Sequence, residues 1–131
     1  MSKKNKKIMI ADDDPGIVDA VEMLLEFEGY DVVSTLDGSA ALSDLKEQHP
    51  DLLLLDIWMS GEDGRDICKK IKLDDAVKDI PVIMVSASRD ISKSAMEAGA
   101  DDFLAKPFEM DELLNKIARY IEKQDVPDLE I

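Results

Sequence analysis

The sequence predicts an α/β fold of the (βα)5 type, a doubly wound parallel five-stranded sheet between two layers of helices. Three observations carry this. Short apolar runs bounded by turn residues recur five times, stretches of helical periodicity separate them, and one run, Leu52–Leu55, is apolar at every position. Strands that alternate with helices need crossover connections, which make neighbouring strands parallel. A strand without polar alternation is one covered on both faces.

The strands are read at Ile8–Ala11, Asp31–Thr35, Leu52–Leu55, Val82–Val85 and Phe103–Ala105. The first helix opens at Asp14-Pro15, an N-cap followed by proline at the first helical position; it carries Ile17, Val21, Leu24 and Leu25 on one face and stops at Gly29. Ala41, Leu42 and Leu45 define a second helix, ended by His49-Pro50, and Ile67 and Ile71 a third. Ile91, Ala95 and Ala98 mark a fourth, closed by Gly99, and Met110, Leu113, Leu114, Ile117 and Ile121 form the clearest stripe, on the fifth.

A chain of 131 residues fits one domain. The expected division is a basic tail over residues 1–7, the domain over 8–123 and an acidic tail over 124–131, with no room for an output domain. An apolar fraction of 45% suffices for a core and argues against disorder. The net charge of −14 repels phosphate backbones and anionic headgroups, which argues against direct nucleic-acid and membrane partners. The single cysteine, Cys68, excludes a disulfide scaffold and reads as a small packing residue. Apolar runs of four residues cannot span a bilayer or form a signal-peptide core, so a cytoplasmic protein is expected.

Ligands of an open parallel sheet bind beyond the carboxyl ends of its strands. Asp12, Asp13 and Asp14 follow the first strand, Asp56 the third, Ser86 the fourth and Lys106-Pro107 the fifth, while Leu36-Asp37-Gly38 after the second reads as a plain turn. Asp14 has a structural role as N-cap. Asp12 and Asp13 alone would read as solvated loop acids and Asp56 as a turn former; together, on adjacent strands, they bring three carboxylates to one rim. Two such charges about 4 Å apart repel by about 4 kcal/mol at an effective dielectric near 20, which calls for a proton or a cation. Oxygen donors in an open cleft suit Mg²⁺ or Mn²⁺ rather than zinc. With Lys106 as a second cationic centre and Ser86 as a hydroxyl, the rim can stabilise phosphoryl oxygens around Asp56 as nucleophile. His49 reads as a turn residue and the seven methionines, Met110 among them, as core packing.

In these strand ends the sequence resembles the receiver domain of two-component response regulators, from about Ile8 to Glu122. The elements are Ile-Met-Ile-Ala-Asp12-Asp13-Asp14-Pro, Leu-Leu-Leu-Leu-Asp56-Ile-Trp-Met, Val-Ile-Met-Val-Ser86-Ala and Gly99-Ala-Asp-Asp-Phe-Leu-Ala-Lys106-Pro107-Phe. The resemblance implies strand order 2-1-3-4-5. It also implies Asp56 as acceptor of a phosphoryl group from a sensor histidine kinase or a histidine phosphotransfer protein. Asp13 and Asp56 would bind Mg²⁺ directly, Asp12 through water and Trp58 by its backbone carbonyl. Ser86 and Lys106 would hold phosphoryl oxygens, Phe103 would be the switch aromatic that turns inward as Ser86 moves, and Lys106-Pro107 would be cis. The fourth helix, fifth strand and fifth helix would form the output surface.

A stand-alone receiver of this kind is not an enzyme beyond its own phosphorylation and dephosphorylation. It would switch the binding of a downstream protein, as a monomer or a phosphorylation-dependent dimer; relay of the phosphoryl group to a histidine domain and a non-phosphorylated scaffold are the alternatives. A haloacid-dehalogenase-like phosphatase would have a second Asp where this chain has Trp58, and a flavodoxin-like electron carrier would have a Ser/Thr/Gly-rich loop after the first strand. Four departures from the family pattern stand out. Ser60 replaces a common proline, giving a looser loop over residues 60–64; Trp58 is bulky, either an exposed loop residue or a shield against water; Ser88 is small; and the stretch from Ser86 to Lys106 is short, which implies a fourth helix that is either abbreviated or mobile.

Overall fold

The structure is a computed structural model that describes residues 6–59 and 61–125, with side chains left aside at Arg89 and at 123–125. Expectations for residues 1–5, Ser60 and 126–131 lie outside the described residues. Strand β1 (Lys7–Ala11) pairs with β2 (Asp31–Thr35) on one side and β3 (Leu52–Asp56) on the other. Beyond β3 come β4 (Val82–Ser86) and then β5 (Asp102–Ala105), every pairing parallel. The order is therefore β2-β1-β3-β4-β5, the doubly wound arrangement the sequence predicts.

Alternation along the central strand builds two separate cores. Leu52 and Leu54 join Val18, Val21 and Leu25 of α1 (Pro15–Phe27) and Leu113, Ile117 and Ile121 of α5 (Met110–Asp125). Leu53 and Leu55 face the opposite way, toward α2 (Gly38–Gln48), α3 (Gly64–Lys72) and α4 (Ser92–Glu97), with Leu45, Ile71 and Ala95 among their neighbours. Every residue of β3 and of β4 is buried, as an all-apolar strand requires.

The strand bounds differ from the sequence reading where polar residues continue a ladder. β3 and β4 each run one residue further, so Asp56 and Ser86 are buried strand ends rather than loop residues. Lys7, assigned to the basic tail, begins β1; its amide donates to the Asp51 carboxylate at 2.8 Å. Leu36-Asp37-Gly38 is more than a turn, because the Asp37 carboxylate caps α2 by accepting from Ser39 N. Asp14 caps α1 as expected, accepting from Gly16 N and Ile17 N.

The connection after β3 is not loose in its described residues. Trp58–Met59 and Glu62–Asp63 form a short antiparallel ladder, Met59 is fully buried, and the Gly64 amide donates to the Ile57 carbonyl. α4 is abbreviated to six residues after a single 3₁₀ turn at Arg89–Ile91, and its N-cap, Ile91, offers no side-chain hydrogen bond.

Candidate functional site

Parallel pairing in register brings the strand ends level. Ala11 lies opposite Leu55, Asp56 opposite Val85, and Ser86 opposite Ala105, so the residues that follow β1 and β5 share one rim with Asp56 and Ser86. Asp12 and Asp56 are buried while Asp13 is exposed, and one carboxylate oxygen from each of the three lies within 4.8 Å of the others. Asp12 is held by its own turn: its amide donates to the Thr35 carbonyl at 3.2 Å and its Oδ1 accepts from Asp14 N at 3.0 Å.

Lys106 reaches into this group from the end of the edge strand β5. Its Nζ donates to Asp12 Oδ2 at 3.1 Å and to Asp56 Oδ1 at 3.5 Å, and its backbone amide donates to the Ser86 carbonyl at 2.8 Å. The Lys106-Pro107 peptide is cis. Ser86 Oγ accepts from Ser88 N at 3.1 Å, which fixes the hydroxyl in the turn after β4.

The electrostatics are those of an acid cluster short of cations. Burial, reinforced by the Asp12 charge, pushes the Asp56 carboxyl up to about 6 against the pull of Lys106. Burial alone would lower the Lys106 ammonium, but Asp12 and Asp56 overcome this and hold it above the usual lysine range. One ammonium against three carboxylates leaves room for a further cation, and an all-oxygen donor set at an open rim suits a hard divalent ion such as Mg²⁺ or Mn²⁺.

Trp58 and Phe103, also singled out in the sequence, place their side chains against other residues. Trp58 is on the small ladder, opposite Asp63, and is 57% exposed, with its ring beneath the Arg65 guanidinium at 5.3 Å from the centroid. Phe103, half-buried in β5 opposite Met84, packs against the core under α2, α3 and α4. His49 ends α2 in a left-handed conformation, φ 46°, with Nε2 3.2 Å from the Ala76 carbonyl oxygen, and Cys68 is buried with its thiol pushed up to about 11 by desolvation.

Two features escaped the sequence reading. Met110 is not core: it is 46% exposed and, with Ile17, Ala20, Val21, Ala87 and Phe108, lines an apolar groove of about 420 Å³ beside Lys106. Arg65 carried no signal of its own, being one basic residue among several in α3; only its placement over the Trp58 ring and against Asp63 marks it.

The sequence profile of the response regulator receiver domain matches residues 8–118, and the chain belongs to that family. Its fold and acidic rim are those of a two-component signalling module. The DNA-binding dual master transcriptional regulator RpaA of Synechocystis is 36% identical over 121 residues, which is 91% of this chain and 50% of the relative, so the chain spans about half the length of that curated relative. The CheY-like response regulator receiver domain protein of Methanospirillum hungatei superposes with a TM-score of 0.84 at 32% identity, over 93% of this chain and 98% of that one. The receiver domain of the sensor histidine kinase PA1611 from Pseudomonas aeruginosa, with magnesium coordinated in its active-site cleft, gives 0.83 at 27% identity, over 91% and 99%. Receiver domains bind Mg²⁺ in their acidic site and act in phosphorylation-dependent signalling with histidine kinases. No described helix is long and apolar enough to cross a membrane.

Proposed function

We propose that Asp56 is the phosphoacceptor of this chain, taking a phosphoryl group from a phosphohistidine of a sensor kinase or a histidine phosphotransfer protein. The observation that carries this reading is the contact of Lys106 with both Asp12 and Asp56 at the rim where three carboxylates meet. An Asp56 carboxylate oxygen attacks phosphorus, the P–N bond to the imidazole breaks, and that nitrogen keeps the electron pair. Asp13 and Asp56 would hold Mg²⁺, with Asp12 acting through water and the Trp58 carbonyl as a further ligand; bound there, the ion would supply positive charge against the phosphoryl oxygens. Lys106 pairs with one of these oxygens and the Ser86 hydroxyl donates to another, and Phe103 turns inward as Ser86 moves. The apolar groove beside Lys106 supports docking of an apolar helical segment, and the net charge of −14 disfavours nucleic acid as a direct partner.

The test is incubation with acetyl phosphate and Mg²⁺, read by intact mass. A gain of one phosphoryl group that needs both Mg²⁺ and Asp56, and is absent from Asp56→Asn, is expected; a gain that persists in Asp56→Asn would move the acceptor elsewhere. Lys106→Met gives a second expected result. The ammonium occupies oxygens on Asp12 and Asp56 and repels a cation placed among them, so its removal tightens Mg²⁺ binding by about tenfold, roughly 1.4 kcal/mol, while slowing acceptance. A Mg²⁺ titration followed by the emission of Trp58, the single tryptophan, checks this; unchanged or weaker binding would show that Lys106 does not compete for the site.

A further inference from the structure

The cluster around Arg65 joins three places, the short ladder after β3, the start of α3 and the first turn of α4. Arg65 Nε and Nη2 donate to the two carboxylate oxygens of Asp63 at 3.0 and 2.8 Å, a planar fork matched to a carboxylate. Nη1 donates to Ser94 Oγ on α4 at 3.0 Å, and the same hydroxyl donates to the Ile91 carbonyl at 3.0 Å. The guanidinium also covers the Trp58 ring, and Trp58 pairs with Asp63 through the backbone ladder. Asp63 in turn caps α3, accepting from the Arg65 amide at 2.9 Å. One side chain therefore touches the strand two residues beyond Asp56, the start of α3 and the first turn of α4.

Beside this contact, α4 is anchored at that turn by Ile91, which packs against the core. It is six residues long, its N-cap residue provides no side-chain hydrogen bond, and Ala95 is its only buried residue. Segments with few buried contacts open at low free-energy cost and respond first to a change in their neighbours. Three-quarters of the Arg65 side chain is out of solvent and both carboxylate oxygens of Asp63 are engaged, so the fork is a firm attachment on the site side.

We propose that Arg65 is a positioning residue that transmits the state of the acidic site to α4, through Trp58 and Asp63 on one side and Ser94 on the other. This rests on the reading of the site given above, and it adds a route to α4 that runs along the β3–α3 connection rather than through Ser86 and Phe103. A lysine has the charge but not the fork, so it cannot hold Asp63, the ring and Ser94 together.

The full chain is loaded with Mg²⁺ and acetyl phosphate, and two signals are read together: Trp58 emission for the site, and amide hydrogen exchange over residues 91–98 for α4. In wild type both signals change on loading, exchange by about threefold or more. In Ser94→Ala, which leaves the Arg65–Asp63 fork in place, the mass gain and the Trp58 response persist while the α4 change falls below about 1.5-fold. Arg65→Lys gives the same loss at α4. An α4 response of wild-type size in either variant overturns the proposal. A wild-type α4 that ignores loading while Trp58 responds also overturns it and leaves the site reading intact; a chain in which neither signal nor mass changes removes both.

Discussion

Asp56→Asn is expected to raise the thermal stability of the metal-free protein at pH 7.5, by roughly 2–3 kcal/mol or several degrees in melting temperature. The Asp56 carboxyl titrates at about 6 in the fold against 3.8 for an unperturbed aspartate, because burial and the Asp12 charge disfavour the ionised form. Below about pH 4 the group is protonated in both folded and unfolded chains and costs nothing. As pH rises through 6 the folded protein must carry a charge it holds poorly, so the stability it had from protonation is lost, and the loss is complete above about pH 7. Asparagine has the same shape and never ionises. The gap between variant and wild type should therefore be near zero at pH 4, open between pH 4 and 7 and then stay constant. Saturating Mg²⁺ should close it, since only the wild type offers the ion its third carboxylate. Melting curves in chelator at several pH values check the sign; an equal gap at pH 4 and 7.5 would mean that charge at Asp56 is not the cause.

Gly64→Ala should be the most damaging single-methyl substitution near the site, costing about 3 kcal/mol. A Cβ at Gly64 would stand 2.5 Å from the Asp56 carbonyl oxygen, 2.9 Å from Ile57 Cα and 3.1 Å from Met84 Cε. Two of those atoms are main chain at the end of β3, so relief requires α3 to move away from the sheet. Alanine improves helix propensity by up to about 1 kcal/mol, which offsets only part of the clash. Gly16 in α1 is the control: its nearest neighbour to an added Cβ is Asp14 Oδ1 at 3.4 Å, and Gly16→Ala should be neutral or mildly stabilising. Urea denaturation of the two variants decides it, and a cost at Gly64 below about 1 kcal/mol would show that α3 slides freely on the strand.

The sheet was legible in the sequence because its strands carry short apolar runs, from Leu52–Leu55 in β3 down to Val32-Val33 in β2, and the rim because polar residues follow those runs at the end where an open parallel sheet binds ligands. Asp12, Asp13, Asp56 and Lys106 meet in the structure, as that reasoning expects. What could not be read depends on neighbours remote in sequence. That Asp56 and Ser86 belong to the strands follows from ladder bonds to adjacent chains, such as the pairing of Asp56 with Val85. Met110 matches the helical stripe of α5, yet it lies at the helix's first turn, where the groove against α1 leaves it half in water. The order in the connection after β3 comes from the facing of Trp58 and Asp63, which no local propensity encodes.

The two clusters on either side of β3 have a consequence for how such a chain can change. The sheet is a partition: an apolar side chain is committed to the α1 and α5 compartment or to the α2, α3 and α4 compartment, and the two are packed independently. A surface on one side can drift in shape and partner while the opposite side keeps its own. The acidic rim lies at the open end of the strands that both compartments share, so a change there reaches both.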